Sequence, residues 1–188
     1  MGFSQTSSRK TSNFRKIRSA GLTALSVNKL DSALNLLEKA SCLGPLDAEV
    51  LFALGNIYLL KGELQKATSR FAEAATASPK NHQIQNNLST TYLRGGELKS
   101  AESAARKAVS LQPKFAEGWN TLGNVQQKKN DLADAEKSFR TALRINPKLS
   151  AAKINLGHTF LNQNLPEKAL ENFKDAQEDS SVRADSYN

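Results

Sequence analysis

The sequence predicts an all-α solenoid, a row of antiparallel helix pairs each stacked on the one before. Three observations predict it. The chain repeats itself every 34 residues: Pro45, Pro79, Pro113 and Pro147 keep that spacing, as do Ala33, Ala67, Ala101, Ala135 and Ala169, and Ala40, Ala74, Ala108, Ala142 and Ala176. A further series, Gly21, Gly55, Ser89, Gly123 and Gly157, runs in the same register, and no insertion interrupts it. The composition favours helix, since Ala and Leu abound while aromatics make up only 6% of 188 residues. A period in this range marks a repeat protein in which no unit buries its apolar face alone.

Five blocks follow, 14–47, 48–81, 82–115, 116–149 and 150–183, and each reads as two helices. In the first helix apolar residues recur at spacings of three and four, as in Leu51, Leu54 and Tyr58 or Trp119 and Leu122. The fifteenth place of each block is Asn28, Gly62, Gly96, Asn130 or Asn164. Gly and Asn accept the left-handed conformation that closes a helix, so every block is expected to turn there. The second helix then opens on Leu30, Leu64, Leu98 or Leu132, and in the last block Pro166 suits a first helical turn. The recurring Ala at places 20 and 27 and the small residue at place 8 let the paired backbones approach. Leu37, Phe71, Phe139 and Phe173 fill the gaps beside them, with Ala105 the small exception. The proline at place 32 ends the second helix, because it cannot continue one.

This pattern resembles the tetratricopeptide repeat family, whose signature is a 34-residue helical hairpin. The resemblance covers residues 14–183, and the fourth block fits best, with Trp119, Leu122, Gly123, Ala135, Phe139, Ala142 and Pro147 at the family's places. The first block departs most, with Ile17, Ala20 and Ala24 for the expected Trp, Leu and aromatic; the last has Lys153 at the Trp place and Ser181 at the proline place. Pentatricopeptide RNA readers, with 35-residue units and another side-chain code, fit less well. The resemblance implies a right-handed superhelix whose concave groove is lined by the first helix of each pair, through places 2, 5, 6, 9, 12 and 13.

At those places stand Asn56 in the second block, Asn86, Asn87, Thr90 and Arg94 in the third, Asn120, Asn124, Gln127 and Lys128 in the fourth, and Asn155, His158 and Asn162 in the fifth. Asn is a poor helix former, so seven on one face need a reason. A carboxamide both donates and accepts, so a ladder of them could hold an extended peptide backbone with little regard for its side chains. The superhelical arm of O-linked N-acetylglucosamine transferase uses asparagines in a similar way. The alternative is that Asn merely tolerates a solvated face. A clamp for the C-terminal carboxylate of heat-shock chaperones is not expected, because Phe52 occupies the Lys place, and Glu117 and Thr121 stand where the later Lys and Arg belong.

No catalytic, cofactor or metal site is expected. His82 and His158 lack carboxylate or Cys partners at ligand spacing, and there is no phosphate-binding glycine loop or nucleophile elbow. The single Cys42 excludes an intrachain disulfide framework and goes with a cytoplasmic setting. No run is long and apolar enough for a transmembrane helix.

The net charge is +8, and residues 1–47 hold seven Lys or Arg against three acids. Residues 1–13 read as a flexible basic arm. A presequence, an N-myristoylation start at Met1-Gly2 and a contact with nucleic acid or an anionic membrane rank behind a solvated terminus. Residues 184–188 read as a tail or the start of a sixth block, with Tyr187 on the Trp place; polar Gln177 and Asp179 argue instead for a true edge. The function these features support is a non-catalytic scaffold binding an extended peptide or a partner helix. Two alternatives stand beside it. One is the substrate-recognition arm of a larger enzyme of glycosyltransferase, sulfotransferase or hydroxylase type. The other is a homo-oligomeric scaffold joined through an uncapped C-terminal repeat.

Overall fold

The structure, a computed structural model, describes the backbone of residues 2–44 and 46–185 and the side chains of residues 11–44 and 46–178. Met1, Pro45 and residues 186–188, Tyr187 among them, lie outside the described backbone. Among the described residues the chain is helical throughout: α1 (Gly2–Ser26), α2 (Leu30–Leu43), α3 (Ala48–Leu60), α4 (Leu64–Ala77), α5 (His82–Arg94), α6 (Leu98–Leu111), α7 (Ala116–Lys128), α8 (Leu132–Ile145), α9 (Ser150–Asn162) and α10 (Pro166–Asp185). The first helices of four blocks therefore begin on the blocks' own first residues. α1 is the exception: its backbone is helical from Gly2, so the segment read as an arm continues the first helix. At the other end α10 runs for 20 residues where α4, α6 and α8 have 14, consistent with Ser181 standing where those blocks carry a helix-stopping proline.

All five expected turns occur. Asn28, Asn130 and Asn164 have φ of 57°, 68° and 57°, and Gly62 and Gly96 have 76° and 78°. At each turn the backbone N–H of the residue after the left-handed one reaches a carbonyl five residues back, as Glu63 N does to Tyr58 O at 2.9 Å, satisfying the orphan carbonyls of the helix end.

The chain divides into two compact units, Met1–Thr91 and Tyr92–Asn188. In the first, α1 packs on α2 and α3 on α4. Gly21 and Gly55 lie against Leu37 and Phe71, where a Cβ would come within 2.8 and 2.7 Å of the facing side chain. Leu51, Ala74 and Ile84 continue the core from one block to the next. Asp47 accepts from Glu49 N and Val50 N at 3.0 Å, capping α3, and also takes the Arg18 guanidinium at 2.9 Å, while Arg18 reaches Glu49 as well. Tyr58 donates to Glu38, and burial together with that carboxylate pushes its phenol up to about 12.

In the second unit α7 packs on α8 and α9 on α10, with Gly123 and Gly157 against Phe139 and Phe173 at 2.5 Å from where a Cβ would sit. Phe139, Phe160, Leu156, Ala135 and Ala169 form the central core, and Ala105, Val109 and Leu122 a second cluster beside Trp119. Polar clasps link successive blocks at place 14. Lys129 bridges Glu102 at 2.7 Å and Asp131 at 2.9 Å, and Gln163 reaches Glu136 at 3.4 Å; within the first unit Lys61 likewise meets Asp31 at 3.0 Å. Hydrogen bonds from Lys129 and Arg106 hold the Glu102 carboxyl below its ordinary range. Among the described residues no helix is long and apolar enough to cross a membrane.

Candidate functional site

Within the second unit the turns at Gly96 and Asn130 bring equivalent places of successive first helices into line. In the second unit this produces a cavity of about 640 Å³ lined by Leu93 and Arg94 from the end of α5, Asn124, Gln127 and Lys128 from α7, and Asn155, His158 and Asn162 from α9. That volume falls in the range of ordinary ligand clefts. Every lining residue occupies one of the places expected to face the groove: Arg94, Lys128 and Asn162 share place 13, Leu93 and Gln127 place 12, Asn124 and His158 place 9. The lining contains no acidic residue, and among the described residues neither Arg94 nor Lys128 has an ion-pair partner.

The structure thus brings seven of the twelve expected site residues into one cavity. Asn120 adjoins it by accepting from Asn155 Nδ2 at 3.0 Å. Asn56, Asn86, Asn87 and Thr90 belong to the first unit. There Asn87 Nδ2 donates to Asn56 Oδ1 at 2.9 Å, and Thr90 Oγ1 donates to the Asn86 carbonyl at 3.1 Å. The Asn86 Oδ1 is buried without a hydrogen-bond partner.

The carboxamides are therefore not all alike. Two pairs, Asn56 with Asn87 and Asn120 with Asn155, bracket successive first helices, and Gln127 Nε2 reaches the Thr159 hydroxyl at 3.2 Å. Each such bond fixes a rotamer and leaves an N–H on the same nitrogen beyond the one it uses. Asn124 and Asn162 make no such bond among the described residues. Sequence reasoning missed Thr159, a fully buried residue whose hydroxyl also donates to the Asn155 carbonyl at 2.9 Å. Its place, 10, is outside the groove set, so the register alone carried no signal. Two groove places that the family pattern counts turn out to be buried: Ala53 and Thr121 are 4% and 8% exposed. Both stand at place 6, which in these blocks serves packing.

The His158 and Phe173 rings meet in a T-shaped contact with centroids 5.2 Å apart. His82 and Cys42 are not among the lining residues, and Cys42 is exposed on α2. Among the described residues no three His, Cys, Asp or Glu side chains cluster as a metal site would need.

Profiles of the tetratricopeptide repeat match residues 18–82, 82–115 and 116–149. The chain belongs to the tetratricopeptide repeat family, whose helical arrays are in general protein-interaction scaffolds. It matches none of the curated proteins by sequence. Solved structures share its fold. MamA is 21% identical with a TM-score of 0.77 over 88% of this chain and 96% of its own. MamA 41-end from Desulfovibrio magneticus RS-1 gives 18%, 0.81, 90% and 96%. YrrB, described as a TPR protein with an unusual peptide-binding site, gives 24%, 0.75, 95% and 92%.

Proposed function

We propose that this chain is a non-catalytic scaffold that holds an extended peptide segment of a partner protein against the first helices of its repeats. The observation that carries the reading is the second-unit cavity, whose lining comes from three successive first helices and is half carboxamides. Asn124 and Asn162 have both donors and acceptors to spare, so they can pair with a peptide bond in either sense. The brackets through Asn120–Asn155 and Gln127–Thr159 hold neighbouring groups in place before any partner arrives, which lowers the ordering cost of binding. A peptide site has been described for YrrB, so the same fold can carry one. A cytoplasmic setting goes with this reading, on the single unpaired Cys42.

The test is selection of a displayed random peptide library on the full chain, followed by affinity measurement against Asn124→Ala with Asn162→Ala. Selected peptides should lose about tenfold or more, the scale of two hydrogen bonds left unmade. Unchanged affinity, with unchanged helicity, would refute the reading.

Self-association is a second reading, favoured by one observation: Leu165 and Leu170, beside α10's start and on it, are 36% and 54% exposed. A second copy covering them would make the apparent mass rise with concentration in sedimentation, and Leu170→Lys would abolish that rise.

A further inference from the structure

We infer that the second-unit cavity selects acidic segments: Arg94 and Lys128 pair carboxylate side chains of an extended peptide whose backbone lies along Asn124 and Asn162. The inference rests on the groove reading above and specifies its partner chemistry.

Charge carries it. The cavity has two cations and no acid in its lining. Adjacent lysines make the contrast plain. Lys129 is consumed by its clasp with Glu102 and Asp131, whereas Lys128, one residue earlier, faces the cavity and has no carboxylate partner among the described residues. Arg94 is in the same position one block earlier. A cation in the last turn of a helix also offsets the helix dipole. That role does not dictate these two, because α3 and α9 end without a basic residue in the last turn.

Geometry sets the spacing. Arg94 and Lys128 share one place on neighbouring first helices, whose axes are expected roughly 8–10 Å apart. An extended chain advances about 3.3 Å per residue, so the two cations match acids two or three residues apart. Nucleic acid would present anions too, but single-strand binders add to their basic groove aromatic rings on which the bases stack. The lining offers only His158, whose ring is already engaged in a T-shaped contact with Phe173.

The test uses the full chain and a fluorescein-labelled pool of short peptides carrying two aspartates two or three residues apart in otherwise mixed sequence. Companion pools carry asparagine or lysine in place of aspartate, and each is made with free and with amidated C-termini. Fluorescence anisotropy should show the aspartate pool binding about tenfold tighter than the asparagine pool, the scale of two exposed ion pairs, regardless of amidation. Arg94→Gln with Lys128→Gln should erase that difference, and Arg94→Glu with Lys128→Glu should transfer preference to the lysine pool. Because both residues are exposed, far-UV circular dichroism should be unchanged.

Equal binding of the aspartate and asparagine pools, weakened by Asn124→Ala with Asn162→Ala, would overturn the inference and leave the groove reading standing. Binding that requires a free C-terminus would overturn it in favour of a terminal carboxylate site. An oligothymidylate bound more tightly than the aspartate pool would overturn it in favour of nucleic acid. Absence of binding by every pool would overturn both readings together.

Discussion

Replacing Gly123 by alanine should destabilise the second unit, although alanine is the better helix former. The added Cβ would stand 2.5 Å from Phe139 Cε1 and 2.8 Å from two further ring carbons. Carbon atoms prefer about 3.5–4.0 Å, so the ring or α7 must retreat by roughly 1 Å. Phe139 has no room for that. It is fully buried among Leu156, Phe160, Ala135 and Ala169, with Leu143 and Phe173 packed behind. Overpacking of this kind costs about 1–3 kcal/mol, and the propensity gain of alanine over glycine in a helix returns about 1 kcal/mol. The expected net loss is therefore about 1 kcal/mol. Phe139→Ala alone should cost about 3–5 kcal/mol. Once the ring is gone, Gly123→Ala should change sign and stabilise by about 1 kcal/mol.

Urea unfolding followed by far-UV circular dichroism on the four members of this cycle measures the coupling, which should be about 2 kcal/mol. Repeat arrays can unfold in stages, so the members are compared only where their slopes agree. A Gly123→Ala protein more stable than the parent, or a cycle that adds within experimental error, would refute the claim that glycine is needed for close approach of α7 and α8.

The other predictions concern the turns, the brackets and titration. Gly62 has φ of 76° with open space around it, so Gly62→Ala should lower stability by about 1 kcal/mol. Gly62→Asn should cost less, since asparagine already occupies this conformation in three other blocks; equal losses by thermal melting would count against a backbone cause. Asn155→Ala removes the bracket to Asn120 and should cost about 1 kcal/mol. Asn120→Ala in the same background should add little further; additive losses would show the two side chains acting independently. Tyr58 should ionise near 12, after an ordinary tyrosine, when absorbance is followed in alkali. Its neutral form is the one the fold favours, so its contribution is complete below about 10 and lost as pH rises through about 12. An ordinary phenol titration for Tyr58, identified by loss of its signal in Tyr58→Phe, would contradict the pairing with Glu38. The lowered Glu102 works in the opposite direction. Its contribution is present above the ordinary carboxylate range and lost as pH falls through the lower folded value, and Lys129→Ala should bring its NMR titration back towards 4.5.

Much of the architecture was legible because it depends on local chemistry that few residues can supply. Left-handed φ is open to Gly and Asn, so Asn28, Gly62, Gly96, Asn130 and Asn164 marked all five turns. Close approach needs a small residue opposite a large one, and the pairs of Gly55 with Phe71 and Gly123 with Phe139 carry both halves of that statement. At the corresponding places the third block has Ser89 and Ala105, a larger residue on the first helix and a smaller one on the second. The helix ends were legible where proline acts. They were less so at α1, where a Ser-rich, basic composition suggested an arm although no proline lies between Gly2 and Ser26 to interrupt a helix. The cavity lining followed from the register, since Arg94, Lys128 and Asn162 share one place. What the register could not show is how carboxamides of successive blocks pair. That depends on the stagger between helices: Asn56 meets Asn87 at a separation of 31 residues, whereas Asn120 meets Asn155 at 35. A single period of 34 predicts neither.

That stagger has a consequence for how such a surface can evolve a preference. An asparagine paired with its neighbour is a structural residue: changing it disturbs the seam between blocks before it disturbs a partner. An asparagine or cation left unpaired, such as half-buried Asn124 or the exposed Asn162, Arg94 and Lys128, can change with little effect on folding, because substitutions that break no structural contact shift stability by only about 0.5 kcal/mol. Two kinds of residue therefore share one face. The brackets keep the first helices in fixed relation within their unit, and the unpaired side chains between them are free to vary with the partner. If so, substitutions at the bracket positions should move melting temperature and peptide affinity together. Substitutions at Asn124, Asn162, Arg94 and Lys128 should move affinity alone. A mutant series plotted on those two axes separates the classes, and a single common trend would show that the surface is not divided in this way.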